Sequence, residues 1–233
     1  MSHDDLATAI VEWLRKKDIW HRAVSLDIEG DLGMLESQEK MPLSITIARR
    51  TRNEIEIRPF VLKDETIESE IGLVSELGIA FQEIQPLVLI GYGIGRFDVP
   101  VLSLKLRKLE TMIKTDGKFP DWYWALRQTI TRSYVLDMMD PVRFEIGRHD
   151  GTGPKFVDLE HAICHRRFKH LPFMKTKHLV SSRMNQGGRE TKSKYEVIYD
   201  LWKKDRKSFE KYVKGDVHDT LLVAEDLFCA RPK

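Results

Sequence analysis

The sequence predicts an α/β layered domain in which helices flank a mixed central sheet. Three observations predict it. Early segments alternate apolar and polar residues, as half-buried strands do. A later short run is apolar throughout, as in a strand covered on both faces. Helical periodicity fills the intervals and the C-terminal part of the chain, so strands and helices come in turn.

The elements follow in order. Residues 5–16 place Leu6, Ile10, Trp13 and Leu14 at helical spacing. Residues 23–29 alternate, with Val24, Leu26 and Ile28 on one face and Ser25, Asp27 and Glu29 on the other. Residues 43–49 alternate again through Leu43, Ile45 and Ile47, and 54–58 through Ile55 and Ile57. The polar link 50–53 predicts a hairpin between these two. An amphipathic helix is predicted over 65–83, stopped by Pro86. Residues 87–90 form the apolar run and lead into Gly91-Tyr92-Gly93-Ile94-Gly95, expected to be a flexible loop. A helix then begins near Asp98 with Pro100 in its first turn. Residues 134–138 are expected as a last strand, 155–168 as a helix, and 194–203 and 205–228 as two final helices. One domain is expected over 1–233, with a helical extension over about 1–20. Residues 110–133 and 169–194 are expected as insertions or loops, with Gly187-Gly188 at a tip.

Charged residues make up 32% of the 233 residues and no apolar run approaches bilayer length, so no membrane span is expected. The N-terminal stretch lacks the apolar core of a secretory signal, and Cys164 and Cys229 form no C-x-x-C pair. A reducing, cytoplasmic setting is therefore expected, with both thiols packed and inert. The net charge of +2 does not by itself indicate nucleic acid. Its distribution says more: from 165 to 194 there are nine Lys/Arg against the single acid Glu190. That asymmetry suits a phosphate-contacting patch beside an acidic site, and equally a solvated surface loop.

Three constellations carry chemistry. Asp27 and Glu29 project from one face of a strand, where two like charges need a cation unless the face is exposed. Asp98 stands where a buried strand, a glycine loop and a helix start meet, the usual place for ligands in open α/β sheets. Taken alone, an Asp before Val-Pro reads more readily as a helix N-cap. Tyr212 and Asp216 stack four apart beside the apolar stripe Phe209, Val213, Val217, Thr220, Leu221, Ala224, Leu227 and Phe228. The plain alternative for Asp216 is a surface carboxylate at the stripe margin.

In their joint order, "LDIEG", "GYGIGRFDVPVL" and "YVKGD", these segments resemble the motifs of the DEDD (DnaQ-like) 3′–5′ exonucleases. The resemblance runs from about Ala23 to Phe228 and is to the exonuclease domain of B-family DNA polymerases, here as a stand-alone protein. It implies a ribonuclease-H-like sheet and two divalent cations, Mg²⁺ or Mn²⁺, held by Asp27, Glu29, Asp98 and Asp216. Asp27 would bridge the two cations. Glu29 and Asp216 would complete the site that holds the attacking water, and Asp98 would serve the leaving-oxygen side. Tyr212 would orient the water. Tyr212 stands four residues before Asp216 and Lys211 stands where the sister branch has histidine, so the resemblance is to the tyrosine branch. Gly30 and Gly93 depart from the Thr and Asn usual in the family, which implies altered contacts to the terminal nucleotide.

The expected activity is hydrolysis of phosphodiester bonds at the 3′ ends of single-stranded or frayed DNA, with RNA as a further candidate. With 233 residues leaving no room for a polymerase domain, any proofreading would act in trans. Two alternatives remain. One is a degenerate module of the same fold that binds nucleic acid or a replication or repair partner. The other is an endonucleolytic or RNA-processing enzyme of that fold. Candidate nucleic-acid contacts are Gly30, Tyr92, Gly93, Phe97, Arg183, Arg189 and Lys192; association with a second copy is left open. His161 and His165, with Cys164 between, have zinc-ligand character but no further ligand pair, so a structural role is expected. His218 and Asp219 are expected to be accessory or exposed, and Asp137 and Asp140 read as structural more readily than as lining the cleft. Trp122, Tyr123 and Trp124 suit base stacking, core packing or a subunit interface alike.

Overall fold

The computed structural model describes residues 9, 12–13, 16–30, 41–52, 54–174 and 193–229. Among them five strands form one sheet in the order β3-β2-β1-β4-β5. These are β1 (Ala23–Glu29), β2 (Ser44–Arg50), β3 (Ile55–Val61), β4 (Val88–Gly91) and β5 (Tyr134–Asp137). The helices are α1 (Lys17–Trp20), α2 (Ile67–Ile84), α3 (Asp98–Ile113), α4 (Asp121–Arg132), α5 (Met139–Asp150), α6 (Leu159–Cys164), α7 (Lys194–Lys204) and α8 (Arg206–Phe228). The architecture is the predicted mixed α/β sheet flanked by helices, consistent with a ribonuclease-H-like fold.

β1 is the centre of the sheet. It pairs antiparallel with β2 from Val24–Arg49 to Glu29–Ser44, and parallel with β4 only over Ala23–Val88 to Ser25–Ile90. β4 pairs parallel with β5, from Val88–Tyr134 to Gly91–Asp137. The carboxyl ends of β1, β4 and β5 therefore share one edge, which brings Glu29, Gly91 and Asp137 to the same rim. The hairpin between β2 and β3 is closed by Thr51, whose N–H donates to the Glu54 carbonyl. Pro59 is tolerated in β3 because that strand lies at the sheet edge.

Both faces of the sheet are covered. Val24, Leu26, Ile45, Ile47 and Leu89 pack on one side with α2, α3 and α4 residues such as Leu77, Leu106 and Leu126. Ala23, Ala48, Val88 and Ile90 pack on the other with Val142, Ala162, Val217 and Leu221. The alternating pattern of β1 therefore directs Ser25, Asp27 and Glu29 not to water but toward α8, which lies across β1, β2 and β3.

Local sequence explains most boundaries. Thr66 caps α2 by accepting from the Ser69 N–H, and Gln85 ends it in the left-handed region before Pro86. Ser193 and Glu196 form a capping box at the start of α7, and Asp205 caps α8. Three expectations are corrected. The 91–95 loop is not loose: the Gly93 carbonyl accepts from the Arg96 and Phe97 N–H groups, and Ile94 is fully buried. The helix expected over 155–168 shrinks to α6, because Asp158 caps it late, accepting from the His161 N–H, and the chain turns after Cys164. Helix α5 was not anticipated; its apolar contribution is sparse, although Pro141 in the first turn and left-handed Gly151 after the end are ordinary helix boundaries.

The 110–133 stretch folds as the end of α3, a Thr115–Lys118 turn and α4. Its aromatic residues divide: Tyr123 is fully buried, Trp122 packs on Gly78, and Trp124 is exposed. Of the helix expected over 5–16, only Ala9, Glu12 and Trp13 are described as helical. Residues 175–192, which include the expected Gly187-Gly188 tip, lie outside the described residues. Among the described residues no helix is long and apolar enough to cross a membrane.

Candidate active site

Asp27, Glu29 and Asp216 converge at the carboxyl edge of the sheet. One carboxylate oxygen from each lies within 4.8 Å of the others. β1 supplies the first two by its two-residue period, and α8 lays the third over them. Glu29 and Asp216 are 8% and 7% exposed. Asp27 Oδ2 is buried and has no hydrogen-bond partner among the described residues. A buried carboxylate oxygen without a partner is unfavourable, and three carboxylates together more so. The Asp27 carboxyl is accordingly pushed well above its ordinary range, first by burial and then by the charges of Glu29, Asp216 and Asp98.

Asp98 is not an N-cap. It is the first residue of α3, preceded by Phe97 at the cap position. Its Oδ1 accepts from the Ile28 N–H at 2.9 Å. That N–H lies beyond the last β1–β4 pair, so the side chain supplies the acceptor that the ladder does not. Asp98 stands outside the group of three, yet it belongs to the same electrostatic unit. Burial raises its pKa to about 7; the charges of Glu29 and Asp137 add to this, while the Ile28 N–H and its own N–H act against it. Tyr212, 4% exposed, sits one turn before Asp216. Burial, then the charges of Asp216, Glu29 and Asp27, and a hydrogen bond with Glu29 hold its phenol well above the ordinary value, so it stays protonated.

The donor set fits a cation: oxygen donors only, crowded and buried, with Asp27 Oδ2 lacking a hydrogen-bond partner among the described residues. One further charge bears on it. Lys194, the first residue of α7, lowers the Asp27 pKa. In the sequence Lys194 was one of nine cations in a basic stretch, and nothing local distinguished it.

The expected nucleic-acid contacts fare differently. Gly30 follows β1 at the rim. Phe97, beside Asp98, is 50% exposed. Gly93 has φ +85° and donates its N–H to Asp137 Oδ1. The Tyr92 hydroxyl donates to the Val157 carbonyl, so this group serves the fold. Arg183, Arg189 and Lys192 lie outside the described residues. Asp137 is structural, accepting from Gly93 and Met139 N–H groups, and exposed Asp140 pairs with Arg143.

Of the two alternatives for Asp219, accessory or exposed, exposure is overturned. It is fully buried and accepts from the Met174 N–H and His218 Nδ1, both at 2.8 Å. A position three residues after Asp216 lies near it around the helix, on the covered side.

A second group, His149, Asp150 and His165, also comes within 4.8 Å. It replaces the His161–His165 pairing considered from sequence, since His161 instead meets Asp158. His165 Nδ1 accepts from the Arg167 N–H, which leaves the proton on Nε2, facing Asp150. Arg166 also donates to Asp150. The cluster is thus a hydrogen-bonded, charge-compensated surface unit whose tautomer opposes metal ligation through Nε2.

No family model matches the chain, and no curated protein matches it. Among solved structures, the family B DNA polymerase from the hyperthermophilic archaeon Pyrobaculum calidifontis is similar, with a TM-score of 0.48 and 18% sequence identity. The similarity covers 88% of this chain and 24% of that one. The chain spans about a quarter of that polymerase.

Proposed function

We propose that this chain is a DEDD-type 3′–5′ exonuclease of the tyrosine branch that hydrolyses single-stranded or frayed DNA. The observation that carries the reading is the buried convergence of Asp27, Glu29 and Asp216 around an Asp27 oxygen that has no hydrogen-bond partner among the described residues. Asp98 and Tyr212 adjoin that group, completing the residue set the motifs imply.

All-oxygen donors suit Mg²⁺ or Mn²⁺. Two such cations, when bound, lower the pKa of a water and neutralise charge on the phosphate and leaving oxygen. Asp27 would be shared between the two cations, as the motifs imply, with Glu29 and Asp216 completing one site and Asp98 serving the other. The Ile28 N–H keeps Asp98 oriented before any ligand arrives. The protonated Tyr212 hydroxyl is a donor at the site and positions the attacking water.

The test is incubation of 3′- or 5′-labelled oligonucleotides with Mg²⁺ or Mn²⁺. Shortening from the 3′ end, abolished in Asp27→Ala and Asp216→Ala, is expected. Binding without cleavage in either metal would indicate a binding module instead, and internal cuts an endonuclease.

A further inference from the structure

We propose that an aromatic and cationic strip on α5, formed by Arg143 and Phe144, carries the single strand away from the site by stacking an upstream base. The inference rests on the nuclease reading and extends it to residues with no part in the metal site. The strip lies on the helix whose start adjoins the site. Beside the position a Gly93 side chain would take, Met139 Cε is at 3.4 Å and Phe97 Cδ2 at 3.5 Å, so these two side chains flank the glycine. Asp137 fixes that junction by accepting from both the Gly93 and the Met139 N–H groups, at 2.9 and 3.0 Å. The start of α5 is thereby tied to the loop that ends at Phe97 and Asp98. Arg143 follows Met139 by one helical turn, about 6 Å along the helix axis.

There the Arg143 guanidinium lies 5.2 Å from the centre of the Phe144 ring. Phe144 is 55% exposed, and Arg148, one turn beyond it, has a side chain 80% exposed. A large apolar ring turned to water is unfavourable for folding and gains when it meets a base face. Cations beside it match the phosphate backbone of a nucleic acid. Asp140 and Glu145 temper Arg143 and Arg148 without covering the ring.

The test measures binding of fluorescent single-stranded oligonucleotides of increasing length, from dinucleotide to octamer, to the full chain in Ca²⁺, with cleavage in Mg²⁺ followed in parallel. Phe144→Ala is expected to bind the longer oligonucleotides roughly tenfold more weakly. It should leave dinucleotide affinity, and the cleavage rate at saturation, unchanged. Phe144→Trp should restore the affinity, and Arg143→Ala should flatten the salt dependence. Because the ring is exposed, thermal melts of these variants should match that of the unmodified chain. Equal affinity of Phe144→Ala and the unmodified chain at every length would overturn the proposal. So would a loss that is the same for dinucleotide and octamer. Binding by the unmodified chain without cleavage would overturn only the nuclease reading. Absence of both would overturn the two together.

Discussion

Asp27 occupies an unfavourable position by any local standard. Its carboxylate is buried, adjoins Glu29 and Asp216, and leaves one oxygen without a partner among the described residues. Replacing it by Asn removes a like charge while keeping the shape. In chelator, Asp27→Asn is therefore expected to raise stability by roughly 1 kcal/mol or more, a few degrees in Tm. The same variant should lose the nuclease rate by roughly a hundredfold or more. A stabilised and inactive variant is the signature of a residue kept for chemistry; a destabilised one would assign Asp27 to the core. Tyr212→Phe removes a single hydroxyl at the site. A fall in kcat of roughly tenfold to a hundredfold with KM unchanged is expected from steady-state kinetics. At this scale the motifs were legible because period two on β1 and period four on α8 are local rules. Asp219 was not legible, since its burial depends on where Met174 lies.

Among the elements, α2 and α3 are held by a buried ion pair. Lys105 Nζ lies 2.8 Å from Glu70 Oε1, with side chains 1% and 0% exposed, and Lys108 adds a longer contact at 3.4 Å. Removing one partner strands the other charge. Lys105→Ala is expected to lose roughly 3–5 kcal/mol in urea denaturation, whereas Lys105→Met with Glu70→Leu should lie near the unmodified chain. A small effect of Lys105→Ala would mean that water or Lys108 compensates Glu70. Helix α4 meets α2 where Gly78 faces Trp122: an added Cβ would fall 2.6 Å from the Trp122 carbonyl oxygen. Gly78→Ala should therefore lower stability by about 1–3 kcal/mol without changing metal affinity measured by calorimetry. Helices with a full apolar face, such as α2 and α8, were legible from periodicity. Helix α5 buries only Val142, Ile146 and Gly147, too sparse a stripe to stand out, and the short α6 was overextended for the complementary reason.

For the whole molecule, the acidic site couples stability to pH and to metal. The folded-state pKa of Asp98 is raised to about 7 from an ordinary 3.8, chiefly by burial. The folded chain then binds more protons than the unfolded chain between these values. Its stability falls as pH rises through that window, and the penalty is complete above about pH 7. Asp27, shifted the same way, adds to the trend. Thermal melts in chelator should therefore give a higher Tm at mildly acidic pH than at mildly alkaline pH, within the window these groups set. Mg²⁺ or Mn²⁺ should raise Tm more on the alkaline side, where no proton has to leave. A metal increment equal at both pH values, or absent at both, would separate these carboxylates from cation binding.

The sequence alone determined that β1 alternates, that Asp27 and Glu29 share a face, that Tyr212 and Asp216 share a helix side, and that an α/β sheet results. Each follows from a repeat of two or about four residues, which neighbours along the chain suffice to define. Only the tertiary structure decided that this face is covered by α8, that Asp98 turns from capping its own helix to the Ile28 N–H, and that Lys194 bears on Asp27. The Asp98 contact depends on β4 lying parallel beside the first residues of β1 and stopping short of Ile28. Such pairings between distant segments are set by the packing of the whole domain, and no local repeat encodes them.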